Sequence, residues 1–430
     1  MPALGSLVAE PLFLLVDSAL VGHLGADPLA GLALASAVLQ TLVGLMVFLA
    51  YGTTPAVARR LGAGDRAGAV AAGVGGVWLA AGLGAVLGAG GWLASPALVA
   101  AFGASPGVST EAGAYLSLSM LGLPAMLIVF AATGLLRGLQ DTRTPLLIAV
   151  AGFAANAALN AVLIYGLGLG IAGSALGTVL AQWGMAGGYL LVIAVKARRE
   201  RVSLRPDARG VLALAGTGWW LLLRTASLRA AFLLATVAAT RLGATPLAGW
   251  QVVMTLFNTC AFALDALAIA AQALIGHRLG AARRQAVRAV LRRCLLWGVG
   301  GGSALGALVL LLSPWLGRAF TSDSAVAAIL PLSIALLGLS TPLGGYVFVL
   351  DGVLMGAGDA RYLAGTGLLN LACFAPFGAA IALSGSSSVL GAPGGEWLGL
   401  AALTAAVMFA YLGARALTLG LRARGERWLG

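Results

Sequence analysis

Apolar stretches of about twenty residues or more recur from one end of this chain to the other, separated by short runs of Gly, Pro and Arg. Twelve can be read, over approximately residues 3–24, 33–58, 67–92, 112–136, 144–165, 169–195, 212–240, 250–275, 289–313, 327–350, 362–384 and 396–420. Each is long enough to cross roughly 30 Å of hydrocarbon as a helix, in which every backbone polar group is satisfied within its own segment. With 60% hydrophobic and 9% charged residues, the chain lacks the polar surface a water-soluble protein of this size needs. The fold expected is all-α and membrane-embedded.

Orientation follows from the basic residues, because cytoplasmic loops retain Lys and Arg. An N-terminus inside places on the cytoplasmic side Arg59, Arg60 and Arg66, then Arg137 and Arg143, the run from Lys196 to Arg209, that from Arg278 to Arg293, and the C-terminal arginines. Arg241 and Arg318 fall outside, and Arg224 and Arg229 within the seventh stretch. The expected location is a plasma or inner membrane, crossed many times, with both termini cytoplasmic. A net charge of +12 is accounted for by this topology and by attraction to anionic inner-leaflet lipid, with no nucleic-acid partner. Cys260, Cys294 and Cys373 show no metal or disulfide spacing and read as small apolar packing residues. The first stretch, carrying Glu10 and Asp17 without a basic start, is not a signal peptide, and the Ser, Gly and Pro run near 384–395 reads as an external loop.

The chain also resembles itself. LGADPLAG at 24–31 matches LGATPLAG at 242–249, an offset of 218; the same offset pairs RLGA at 60–63 with 278–281, and GLLRGLQDTR at 134–143 with GVLMGAGDAR at 352–361. Three ungapped matches at one offset imply a duplication. An even number of helices per unit gives two parallel six-helix bundles, 1–195 and 211–430, joined by a basic linker over 196–210. Two such bundles suit alternating access. Met1 falls opposite Trp219, so the first helix is expected to be short at its cytoplasmic end.

Ionisable groups at membrane depth are costly unless paired or hydrated, so each is a functional candidate. Glu10 and Asp17, seven residues apart, lie within about 20° of one helix face, with Pro11 between them as a point of bending. Neighbouring desolvated carboxylates have raised proton affinity, as a proton carrier requires; the alternative is that they only tie the first helix to a neighbour. Asn156 with Asn160, and Thr178 with Gln182, share faces at i, i+4 and offer neutral partners for a carboxylate in either protonation state, or oxygen ligands for a small cation. Interhelical packing is the competing role. Arg224 and Arg229 are about 140° apart around their helix, and Asp265 and Asp351 are candidate partners, through a structural salt bridge or a second ion or substrate site. Asp141 and Asp359, in matching loops beside Arg143 and Arg361, read as turn and helix-cap residues.

The segments EPLFLLVDSALVGHLGADPLAG, AYGTTPAVARRLGAGD, GLLRGLQDTRTP and LDGVLMGAGDARYL together resemble the multidrug and toxic compound extrusion (MATE) family, and within it the DinF-like branch, over about residues 5–365. The resemblance implies twelve helices in two lobes forming a V, and export of amphipathic, often cationic compounds driven by inward flow of H⁺ or Na⁺. It assigns ion coupling to Asp17, Asn156, Asn160 and Thr178, with a bend of the first helix near Pro11; Glu10 joins them as a coupling candidate from its place on the Asp17 face. Many relatives carry an acid where Asn160 stands, and its absence favours H⁺ over Na⁺. Gln182, Arg224 and Asp265 are further candidates for polar or substrate contacts. No resident cofactor or metal site is expected, only a coupling ion; the partners are small organic substrates and lipids, and the chain is expected to be a monomer. A lipid-linked precursor flippase and an uncoupled channel remain alternatives. No catalytic motif or Walker loop points to an enzyme.

Overall fold

The computed structural model describes residues 20–21, 23–282, 284–321, 323–384 and 395–429, and every regular element among them is helical. The first apolar stretch, with Glu10, Pro11 and Asp17, lies outside the described residues apart from its last turn, as does the Ser, Gly and Pro run beyond Ser384. The other eleven expected stretches all have helical counterparts.

The chain divides into two compact units, 1–218 and 219–430. In the first, α1 (Ala26–Met46) and α2 (Phe48–Gly62) make one span; α3 (Arg66–Ala100) follows, then α4 (Pro106–Met120) and α5 (Leu123–Gly138), a pair bent by 48°. Next come α6 (Arg143–Ala161), which runs into a π turn at Val162–Gly166, and α7 (Gly170–Arg199). Helix α8 (Ala208–Leu242) contains the boundary between units, and only residues 200–207 of the basic segment are non-helical. The second unit continues with α9 (Ala244–Gly280), α10 (Arg284–Phe320), α11 (Ser324–Gly356) and α12 (Ala360–Ser384). It ends with α13 (Glu396–Ala405), a second π turn at Ala406–Tyr411, and α14 (Leu412–Arg424).

The helices overrun the apolar stretches that announced them: 289–313 is the middle of Arg284–Phe320. Hydropathy stops at the first charges, whereas a helix continues into the interfacial layer, where arginine stems lie along apolar surface and their heads reach water. Caps set the starts. Asp65 Oδ1 accepts the Gly68 N–H at 2.7 Å before α3, and Asp323 Oδ1 accepts the Ala325 N–H at 2.8 Å before α11. Outward apolar side chains such as Leu147, 68% exposed, suit contact with lipid. Cys260 is buried as expected for packing, but Cys373 is exposed on the outer side of α12, where lipid rather than protein would surround it.

Packing relies on small residues, since lipid offers helices no hydrophobic reason to associate. The most extensive pairing, α10 with α11, brings backbones into contact: a Cβ on Gly302 would stand 2.6 Å from the Thr341 carbonyl oxygen.

The duplication is visible in backbone geometry. Gly25 and Gly243 have φ of 127° and 124°; Gly64 and Ala282, 83° and 55°; Gln140 and Gly358, 62° and 73°; each pair is separated by the offset of 218. The helix ends agree bond for bond. Asp141 N–H donates to the Leu136 carbonyl at 2.8 Å and Asp359 N–H to the Leu354 carbonyl at 3.0 Å, both closing Schellman-type turns.

Candidate functional site

In the first unit, the π turn Val162–Gly166 carries the chain from α6 to the start of α7, and small residues bring the two helices together. A Cβ on Gly173 would meet the Leu163 carbonyl carbon at 2.8 Å, and one on Gly177 would collide with the Asn160 Oδ1. Asn156 and Asn160 thus enter the interior, 3% and 0% exposed. Asn160 Nδ2 donates to Asn156 Oδ1 at 3.2 Å, and Asn156 Nδ2 donates to the Thr178 hydroxyl at 3.0 Å. Three of the five residues expected to couple ions are therefore one hydrogen-bonded chain; the other two, Glu10 and Asp17, lie outside the described residues with Pro11. The chain is made of neutral groups, each with remaining donor or acceptor capacity, so it can orient toward a charged or a protonated carboxyl. The π turn, a distortion often found at functional sites, places Tyr165, whose hydroxyl donates to the Leu20 carbonyl at 2.5 Å. Gln182, one turn beyond Thr178, donates to the Met126 sulfur at 3.3 Å and is half-buried.

The second unit holds a different cluster. Arg224 on α8 pairs in fork fashion with Asp351 on α11: Nε donates to Oδ1 at 3.2 Å and an Nη to Oδ2. Arg415 on α14 stands 3.3 Å from the same Oδ2. The side chains of Arg224, Asp351 and Arg415 are 12%, 8% and 10% exposed. The sequence named Asp265 and Asp351 as candidate partners for the arginines; Asp351 pairs with Arg224, and Asp265 is half-buried on α9. Arg415 is the correction: counted with the cytoplasmic C-terminal arginines, it is buried inside a candidate span. Its signal was its place seven residues before Arg422, two helical turns deeper into an apolar segment. Arg229 is exposed.

Of the paired loop aspartates, Asp141 bonds the first turn of α6, whereas Asp359 forms an ion pair. Asp141 accepts from the Thr144 N–H at 3.1 Å and its hydroxyl at 2.9 Å, and Lys196 lies 3.4 Å away. Burial alone would push the Asp141 carboxyl up, but these hydrogen bonds and the Lys196 charge outweigh it and hold it below the usual carboxylate range. Asp359 accepts from Arg422 Nε at 2.6 Å. Among the described residues, no three His, Cys, Asp or Glu side chains converge as a metal site would require.

Long apolar helices in two duplicated units, each enclosing a buried polar cluster, define a multi-pass membrane protein. The sequence matches the MatE family over residues 2–162 and 222–383, and the chain belongs to that family. It is 32% identical to "Protein DETOXIFICATION 44, chloroplastic" of Arabidopsis thaliana, covering 85% of this chain and 72% of that one. It is 31% identical to "DNA damage-inducible protein F" of Escherichia coli (strain K12), over 65% of this chain and 62% of the relative. The match spans about half the length of several other plant relatives. The solved structure of the Vibrio cholerae MATE transporter VcmN in the bent form has the same fold, with a TM-score of 0.86, 21% identity, and coverage of 100% of this chain and 96% of that one.

Proposed function

We propose that this chain exports amphipathic, predominantly cationic organic compounds in exchange for protons, from the cytoplasm across a plasma or inner membrane. The observation that carries the reading is the buried chain Asn160–Asn156–Thr178. Neutral amides and a hydroxyl at membrane depth are partners for a carboxyl that changes its proton, because they donate to its anion and accept from its acid form. Asp17 and Glu10 are the carboxylates assigned to that task. Leu20, three residues after Asp17 in sequence, accepts a hydrogen bond from Tyr165, five residues after Asn160. In this mechanism protonation of Asp17 exchanges its hydrogen bonds with Asn156 and Asn160, and the first helix bends at Pro11. Gln182 extends the polar face toward substrate. With an amide at 160, a bare Na⁺ would have fewer anionic ligands, which favours the proton. Similarity to relatives named as multidrug resistance proteins, such as the 29% identical "Probable multidrug resistance protein NorM" of Pseudomonas putida, supports the substrate class.

The test is efflux of a fluorescent cationic dye from proteoliposomes under an imposed pH gradient, an imposed Na⁺ gradient, or neither. Dye movement driven by the pH gradient and abolished by Asp17→Asn is the expected result. Movement at one rate whatever the gradient would sink proton coupling and leave a flippase or channel.

A further inference from the structure

The cluster in the second unit is larger than a salt bridge needs to be. Asp351 engages Arg224 and Arg415 together, so two guanidiniums share one buried carboxylate. At the offset of 218 the first unit holds Thr133 where the second holds Asp351; in the last helix, where Lys196 and Arg422 make the same clasp, the offset is 226 and Tyr189 stands where the second unit has Arg415, the Thr133 hydroxyl donating to the Tyr189 oxygen at 3.0 Å. Helices of this fold are therefore joined at that point without charge, and the ion cluster is not something the architecture demands. Burying charge is costly, so a cluster that the fold can do without points to a ligand.

The surroundings indicate its chemistry. A small cavity with about 10 Å³ of space for the centre of a water-sized sphere is lined by Arg224, Asp351, Arg415, Asn370 and Tyr411. Its neighbouring hydroxyls are already committed, Ser227 to the Arg224 carbonyl at 2.7 Å and Thr366 to the Tyr362 carbonyl at 2.9 Å. Tyr411 is 2% exposed and its ring is packed against Phe232 and Phe374, while its hydroxyl makes no hydrogen bond among the described residues. Asn370, also 2% exposed, has only a 3.5 Å contact with Thr418 for its amide. The spare groups are thus donors: an O–H, an amide and guanidinium N–H bonds. The cavity has room for about one water-sized species, far short of a pocket that accepts a drug-sized ligand.

We propose that this cavity binds a small inorganic monovalent anion of chloride size, held by Arg415, Tyr411 and Asn370 with Arg224 and Asp351 behind them. The anion offsets the second guanidinium and ties α8, α11, α12 and α14 together. Larger organic anions are excluded by volume.

The experiment follows the unfolding temperature of the purified full-length protein in detergent while chloride or bromide replaces gluconate at constant sodium and ionic strength. A saturable upward shift in both halides, absent in gluconate, is expected. Arg415→Gln weakens the apparent affinity at least about tenfold, the loss of one strong charge-assisted contact. Tyr411→Phe keeps the ring packing, removes only the O–H, and weakens it by a smaller factor; it decides the matter if Arg415→Gln does not fold. Identical unfolding in chloride and gluconate overturns the site, as does a halide shift that survives undiminished in the variants. Dye efflux does not enter this readout, so its failure leaves the proposed exchange standing.

Discussion

The two units answer the same structural question with different chemistry. Where the first joins α5 to α7 through Thr133 and Tyr189, the second joins α11 to α14 through Asp351 and Arg415. The exchange runs the other way at the next cluster. Asn156 and Asn160 of the first unit correspond to Phe374 and Gly378 of the second, and Phe374 packs edge-on against Tyr411 at 5.9 Å. Each unit has kept one buried polar centre and filled the other with neutral or apolar groups. The outer clasps have not diverged: Lys196 with Asp141, and Arg422 with Asp359, repeat one arrangement. A duplicated fold constrains its loops and helix ends, and leaves its interior free to specialise.

The largest effect expected from breaking this comparison is at Asp351. Asp351→Asn leaves two buried guanidiniums facing a neutral amide and is expected to destabilise the second unit by about 3–5 kcal/mol, the range for a broken buried pair. Thr133→Ala, at the matched position, loses one interhelical hydrogen bond, worth about 0.6 kcal/mol on average in a membrane protein. Equilibrium unfolding in mixed micelles compares the two, and equal losses would show that the charges are no more integral than the hydroxyls. The triple change Arg224→Ser, Asp351→Thr, Arg415→Tyr installs the first unit's residues, matched at an offset of 218 for the first two and 226 for the third. It should unfold within about 1 kcal/mol of the parent, since neutral replacement of a buried triad is often harmless.

A second break is at Asn156, which both donates to Thr178 and accepts from Asn160. Asn156→Leu interrupts the chain and leaves buried polar groups without it, at roughly 1–2 kcal/mol. The functional loss should be greater than the structural one: pH-driven dye efflux falls at least about tenfold while dye binding, followed by fluorescence anisotropy, stays near the parent value. Loss of binding together with efflux would assign Asn156 to the substrate path instead.

The clasps sharpen the comparison through pH. Asp141 has its folded-state proton affinity lowered, so its stabilising contribution is complete above the ordinary carboxylate pKa, about 3.9, and is lost as pH falls through its lower folded value. Asp141→Asn should remove that acid-side loss and lower stability near neutral pH by about 0.5–1 kcal/mol, as expected for a pair that is partly exposed. Unfolding curves at neutral and acid pH, parent against variant, measure it; a difference that stays constant with pH would show that the contribution does not depend on the charge of Asp141.

Much of this was legible in the residues because membranes simplify the problem. Length and apolarity alone located eleven stretches with helical counterparts, and spacing put Asn156 with Asn160 on one face of their helix and Thr178 on a face of the next; that these faces meet is seen in the Asn156–Thr178 bond. What stayed hidden depends on depth and on partners distant in sequence. Arg415 looks like any arginine near a positive C-terminus until its helix is seen to continue to Arg424. Its link to Asp351 spans two intervening helices, and no local pattern encodes it. The break of the fourth stretch into α4 and α5 was equally silent, since Leu121 and Gly122 are as apolar as the helices they separate.

The smallest expected effect concerns a difference that the duplication itself exposes. Gln140 and Gly358 close matching turns with φ of 62° and 73°, yet only one of them is glycine. A side chain in the left-handed region crowds its own carbonyl, at about 1–2 kcal/mol, whereas glycine adopts the same angles freely. Glycine also has more freedom to lose on folding, which offsets part of that gain. Gln140→Gly is therefore expected to raise stability by about 0.5–1 kcal/mol, and Gly358→Gln to lower it by a similar amount, both read from unfolding midpoints. If Gln140→Gly destabilises instead, the glutamine side chain is holding the turn through a contact that its counterpart does without, and the two turns share a backbone but not its cause.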